Sequence, residues 1–205
     1  AMEMPQTIHD FGGFPKELFD VQYPAKGSPE LAQLTKELIL PTEVELNHDW
    51  GLDHGAWSVI KHLYPEANIP VIQMSIDYSL TGQAHFDMAQ KLQSLRNKGI
   101  LIIGSGNIVH NLRMVDWANF DKDNYGFDWA IEAREKINKN IIDGDFANLI
   151  NYQKQGKAFD LAIPTPDHYL PLLYTLGLKN ETENLQLFND KLLAGSLSMT
   201  SVKIG

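Results

Sequence analysis

Two β-branched runs, Pro70-Val71-Ile72-Gln73-Met74-Ser75-Ile76-Asp77 and Ile100-Leu101-Ile102-Ile103, bracket a helical pattern over residues 83–98. In that pattern Phe86, Ala89, Leu92 and Leu95 fall on one side, and Gly99 follows the last turn. Short apolar runs without polar alternation read as strands buried on both faces, and such strands need helices to cover their sheet. The fold class expected is α/β: a three-layer α/β/α sandwich with a central mixed sheet. Further helices are predicted over about residues 127–142, 146–155 and 169–176, with a last strand over 197–204. Ser28 ahead of Pro29 and Glu30 predicts a capped helix start, with Leu31, Leu34 and Leu38 as its apolar stripe. Residues 5–27, punctuated by Pro5, Gly12, Gly13, Pro15, Pro24 and Gly27, read as a long irregular loop.

No repeat, low-complexity tract or flexible linker divides the 205 residues, so residues 1–205 are expected to form a single domain. With 43% hydrophobic and 21% charged residues the chain can fill a core, which excludes wholesale disorder. Lys and Arg number 17 against 26 Asp and Glu, a formal charge of -9 without a basic cluster. Polyanion binding rests on neutralising phosphates with basic side chains, so neither nucleic acid nor an anionic membrane surface is an expected partner. Zero cysteines removes disulfides, thiolate zinc sites, iron–sulfur clusters and cysteine nucleophiles together. Any metal must be held by nitrogen and oxygen. The longest apolar run is far shorter than the roughly 20 residues that span a bilayer, and the default compartment is the cytoplasm.

In α/β folds functional residues gather on loops beyond strand ends. Four stretches there pair a histidine with Gly or Pro and a nearby Asp or Asn. They are Thr7-Ile8-His9-Asp10-Phe11-Gly12-Gly13-Phe14, Trp50-Gly51-Leu52-Asp53-His54-Gly55, Gly104-Ser105-Gly106-Asn107-Ile108-Val109-His110-Asn111-Leu112-Arg113, and Pro164-Thr165-Pro166-Asp167-His168-Tyr169. Histidine ligates metals and exchanges protons near neutral pH, and a neighbouring carboxylate or amide fixes its tautomer. Any one of these alone reads as a capping or loop histidine; four of seven in this setting points to chemistry. His48, His62 and His85 read as surface residues, and Trp50, Trp57, Trp117 and Trp129 as core or cavity wall.

Other chemistries fail on spacing. Gly104-Ser105-Gly106 lacks the third glycine of a dinucleotide turn, where Val109 stands. Those two glycines are expected to bend the backbone sharply and place His110 at a cavity. No G-x-S-x-G elbow, H-E-x-x-H helix or calcium loop is present; Asp116, Asp121, Asp123 and Asp128 read as a solvated acidic stretch.

Taken together, the four stretches with Tyr23-Pro24, Gly27-Ser28-Pro29 and Gly195-Ser196-Leu197-Ser198-Met199 resemble, from end to end, the LigB class of extradiol ring-cleavage dioxygenases, in the branch of the bacterial YgiD and plant 4,5-DOPA dioxygenase proteins. The resemblance implies an enzyme that opens a catechol ring beside its hydroxyls with O₂ at a mononuclear non-haem metal, Fe(II) or Zn(II). It implies that His168 is a metal ligand, that His110 is the acid/base at the metal site and a further ligand, and that His54 is a supporting catalytic histidine. His9, Asp10 and Arg113 are then expected to face the substrate. Neutral imidazoles suit such a metal, and an imidazole titrating near the working pH can take a phenol proton and return one.

The family pattern begins with Gly-His-Gly-Ser-Pro and Ser-Ala-His-Trp, which carry its first two metal histidines, and neither occurs in this sequence. The chain is therefore expected to be an N-terminally truncated family member with impaired metal binding and activity. An exposed sheet edge or a partner chain, in a homo-oligomer for example, is expected with it. The reading from another class is a metal-poor binding or signalling protein of the same fold, similar to the Memo-like proteins. Retention of His54, His110, Arg113 and His168 favours the enzyme.

Overall fold

Helix ends are set by local signals in the computed structural model, which describes residues 1–205 in two units, Ala1–Ser75 and Ile76–Gly205. In the first unit, α1 (Lys16–Phe19) is one turn inside the expected loop. α2 (Pro29–Leu38) starts as its sequence predicts: Ser28 Oγ accepts the Leu31 N–H at 3.2 Å and Pro29 opens the helix. α3 (His54–Leu63) was not among the predicted helices; the Asp53 carboxylate caps it by accepting the Ala56 N–H at 3.1 Å. The core of this unit is Tyr23, Ala25, Leu52, Trp57 and Ile60. Its polar tips are satisfied, since Trp57 Nε1–H donates to Ile8 O and the Tyr23 hydroxyl donates to Tyr64 O.

In the second unit Thr81 caps α4 (Gly82–Lys91), and α5 (Gln93–Arg96) continues it until Gly99 ends the run with a left-handed φ of 76°. This is the predicted helix, with Ala89, Leu92 and Leu95 buried. α6 (Asp128–Asp143) stops at Gly144, also left-handed, and is followed by α7 (Phe146–Ile150), α8 (Lys157–Ala162) and α9 (Leu170–Gly177). Two antiparallel ladders complete the unit. β1 (Leu185–Phe188) pairs with β4 (Ser201–Ile204), and β2 (Leu192–Leu193) pairs with β3 (Leu197–Ser198). The last predicted strand is thus two short strands, divided where the Thr200 N–H donates to Ser198 Oγ.

The core of the second unit is contributed by Ala130, Ala133, Ile137 and Ile141 of α6, Leu149, Phe159, Ala162, and Leu170, Leu173 and Leu176 of α9. Fully burying a leucine contributes about 1.5–3 kcal/mol, and three of the four leucines of α9 are nearly inaccessible, so the helix is strongly held. Mixed helix and strand content agrees with the α/β class. The runs 70–77 and 100–103, however, join no ladder, contrary to their reading as buried strands. Leu101 is 62% exposed and Ile103 41%. β-propensity measures fit to a pleated surface, and neighbouring strands must supply that surface.

Two further expectations are corrected. His85 is buried, whereas His48 and His62 are exposed as read. Trp50 and Trp117 are exposed rather than core, and Trp57 is core. Finally, no helix is long and apolar enough to cross a membrane.

Candidate active site

In the first unit a short parallel contact assembles the chemistry. Ile8 N–H donates to Leu52 O at 2.7 Å and Leu52 N–H donates to Gln6 O at 2.8 Å, so the segment ending in His9-Asp10 runs beside the one ending in Asp53-His54. Gly51 is required there, because a Cβ on it would lie 2.0 Å from Gln6 O. The Asp10 carboxylate then accepts both the backbone N–H of His54 at 3.1 Å and its ring Nδ1–H at 2.8 Å. Burial pushes the Asp10 carboxyl up, but the hydrogen bonds from His54 outweigh it, and the group lies below its ordinary value. With Nδ1–H committed to Asp10, His54 presents Nε2 as its basic nitrogen. His9 donates from Nε2 to Val21 O at 3.0 Å and packs among Phe11, Phe19 and Trp57.

In the second unit residues 107–111 are clamped from two sides. Ser198 N–H donates to Val109 O, Asn111 N–H to Ser196 O, and Ser196 Oγ to Asn111 O, which ties the segment to β3. On the other side His110 N–H donates to Ala162 O at 2.8 Å and Asn111 Nδ2 to Leu161 O at 2.8 Å, at the end of α8. The His110 backbone is therefore fixed, and its ring lies flat on that of His168, with centroids 3.5 Å apart and planes 12° from parallel. His168 is held by the turn Pro164-Thr165-Pro166, whose Pro166 O accepts the N–H groups of Tyr169 and Leu170 at the start of α9. Asp167 Oδ2 lies 3.6 Å from His168 Nε2.

Gly104 and Gly106 do not act by bending the chain, since neither has a left-handed backbone. They permit close approach: a Cβ on Gly104 would lie 2.4 Å from Pro171 O, and one on Gly106 would lie 2.2 Å from His168 O. The glycine pair thus lays its segment flush against the start of α9, with His110 opposite His168.

Burial, reinforced by the positive charge His168 can carry and opposed by Asp167, lowers the His110 pKa to about 4. The lowered value favours the neutral ring near pH 7, the form that can accept a proton. Arg113 stands exposed on the turn Leu112–Met114, just past Asn111.

The donor set was tested against a mononuclear metal. Rings that ligate one ion radiate from it, so two stacked, nearly parallel imidazoles do not share a chelation point as they stand. No group of three or more His, Asp or Glu side chains is placed to hold an ion. The residues present therefore do not form a three-ligand centre as they stand.

Sequence reasoning missed His85 and Tyr174. The signal was available, because His85 lies at helical spacing from Met88, Ala89 and Leu92, on the stripe that α4 buries.

Residues 2–197 match the family model of the catalytic LigB subunit of aromatic ring-opening dioxygenase, and the chain belongs to that family of extradiol dioxygenases. It is 46% identical over 209 residues to the 4,5-DOPA dioxygenase extradiol of Escherichia coli K12, covering 100% of this chain and 76% of that protein. It is 33% identical over 206 residues to the protein of the same name from Beta vulgaris, covering 99% and 75%. Among solved structures it resembles an uncharacterized Escherichia coli K12 protein, JW3007, with a TM-score of 0.82, 40% identity, and coverage of 100% of this chain and 81% of that one.

Proposed function

We propose that the chain opens the ring of a catechol, DOPA or a close analogue, with His110 as the proton-transfer residue. The observation that carries this is the placement of His110: its backbone is clamped from two sides and its ring stacks on that of His168. Extradiol cleavage starts from a deprotonated catechol, and a neutral imidazole can accept the phenol proton. The imidazolium formed in that step can return its proton later to the leaving oxygen, so one residue serves as base and then as acid.

His54, oriented by Asp10, is a second acid/base candidate, and His9 and Asp10 are assigned to substrate contact. Arg113 suits the carboxylate of an amino-acid catechol, which a guanidinium binds through two parallel hydrogen bonds. The family resemblance assigns His168 as a ligand of Fe(II) or Zn(II), and O₂ as co-substrate. Since the donors do not fit such a centre as they stand, weak metal binding and reduced turnover are part of this reading. The three-layer sandwich with a central mixed sheet is the architecture the resemblance implies, and residues 100–103 have the composition of one of its strands.

The test is anaerobic incubation with Fe(II), addition of DOPA and then air, with oxygen uptake and the absorbance of the yellow ring-opened product followed. Product that forms more slowly than with the Escherichia coli relative is expected. No product, with the relative active in the same buffer, would overturn the assignment in favour of a binding role.

A further inference from the structure

The buried pair His85 and Tyr174 is used by none of the chemistry above, yet it joins α4 to α9, the helix that follows His168. His85 has no accessible surface and sits in α4, while Tyr174 sits in α9. His85 Nε2 lies 3.1 Å from Asp77 O, which can only accept, so Nε2 carries the proton. Burial lowers the His85 pKa, so the ring is neutral and Nδ1 is an acceptor. The Tyr174 hydroxyl, 3.0 Å away, therefore donates to Nδ1, with Met88 Sδ at 3.4 Å as its weaker alternative acceptor. The result is a directed chain: Tyr174 O–H to His85, and His85 N–H to the Asp77 carbonyl.

The Tyr174 end of this chain lies on the helix that begins just after His168. Tyr174 lies in the second turn of α9, whose first turn follows His168 directly, and Gly177 lets α9 approach α4 so closely that a Cβ would lie 2.7 Å from Phe86 O. Asp77 begins the turn that carries Tyr78, and the charge of Asp167 reaches the exposed Tyr78 phenol, adding to the effect of partial burial in raising its pKa. The His110 side is fixed independently, by β3 and α8.

We propose that His85 and Tyr174 are positioning residues: their hydrogen-bonded chain sets the angle and depth of α9, and so holds the His168 ring in register on His110. This rests on reading the His110–His168 pair as the site. A side chain that must stay within a few tenths of an ångström of its working position needs supporting contacts that lock it, and the Tyr174–His85 hydrogen bond adds a directional contact to the apolar packing that holds α9.

The test uses the whole chain, isotope-labelled, in solution. Tautomer-sensitive ¹⁵N shifts should show His85 protonated at Nε2 and hydrogen-bonded at Nδ1. Cross-relaxation between ring protons of His110 and His168 should be present in the parent protein. In Tyr174→Phe it should fall by at least about twofold while melting stays cooperative, because the supporting contact is lost and the fold is kept. Should Tyr174→Phe not fold, the same comparison is made on His85→Gln, which keeps an N–H for Asp77 O. A lowered melting temperature with unchanged cross-relaxation would make the pair ordinary core packing and overturn the proposal. The cross-relaxation is read without turnover, so failure of the dioxygenase reading and failure of this inference appear in different measurements.

Discussion

His110 and His85 are both neutral through burial, but they are neutral for different purposes. His85 spends both ring nitrogens inside the protein, on Asp77 and Tyr174, whereas the His110 ring is held only from its backbone and by the face of His168. Replacing His110 with Ala should lower turnover by roughly 100-fold or more with catechol binding retained, as removal of an acid/base group does. Steady-state kinetics beside equilibrium binding checks this, and unchanged turnover would remove His110 from the chemistry. The same two histidines predict a pH dependence of stability. Each has a folded pKa below its unfolded value of 6.5, so between the two values the unfolded chain binds more protons, and stability falls as pH falls. The groups facing them are Asp77 and Tyr174 for His85, and His168 and Asp167 for His110. The contribution is complete above about pH 6.5 and is lost toward about 4 for His110. Urea midpoints should therefore drop between about pH 7.5 and 5, a range above the ordinary carboxyl titrations. A flat profile would show that neither ring is buried in its neutral form.

Between elements, contact in the second unit depends on glycines that leave room for backbone. Gly106→Ala would drive a Cβ to 2.2 Å from His168 O, a backbone atom that cannot rotate away. The expected cost is about 1–3 kcal/mol in urea unfolding, typical of overpacking. Gly12→Ala is the control, since nothing lies within 4 Å of its Cβ position, and it should stay within about 0.5 kcal/mol of the parent. If the two substitutions cost the same, close approach is not the role of Gly106. Thr81→Ala should cost about 1 kcal/mol, because Thr81 Oγ1 accepts the Ala84 N–H at the start of α4. Two of the local signals were legible in the sequence: Ser28 ahead of Pro29, and Gly99 after an apolar stripe, act through contacts within one turn. α3 was missed because His54-Gly55 reads as a loop, and its cap, Asp53, lies inside a motif that also looks like turn chemistry.

For the molecule as a whole, metal binding is the property that depends on the complete donor set. Equilibrium dialysis with Zn(II) or Fe(II), beside the Escherichia coli relative, should show affinity lower by more than the roughly 10- to 100-fold that loss of one supporting contact costs. Equal affinity would show that the histidines of this chain rearrange into a full site. The sequence by itself determined the α/β class, the main helices of the second unit, the family, and the four stretches that hold candidate chemistry. Each of these rests on periodicity, capping, or residue types at fixed short spacing. Only the tertiary structure decided that residues 70–77 and 100–103 join no ladder, because a strand exists through its neighbours and not through its own composition. It alone decided that His110 stacks on His168 and that His85 is buried against Tyr174, contacts between residues 58 and 89 positions apart in sequence. Which nitrogen carries a proton, and how tightly it is held, follows from partners that distant, and no local pattern records them.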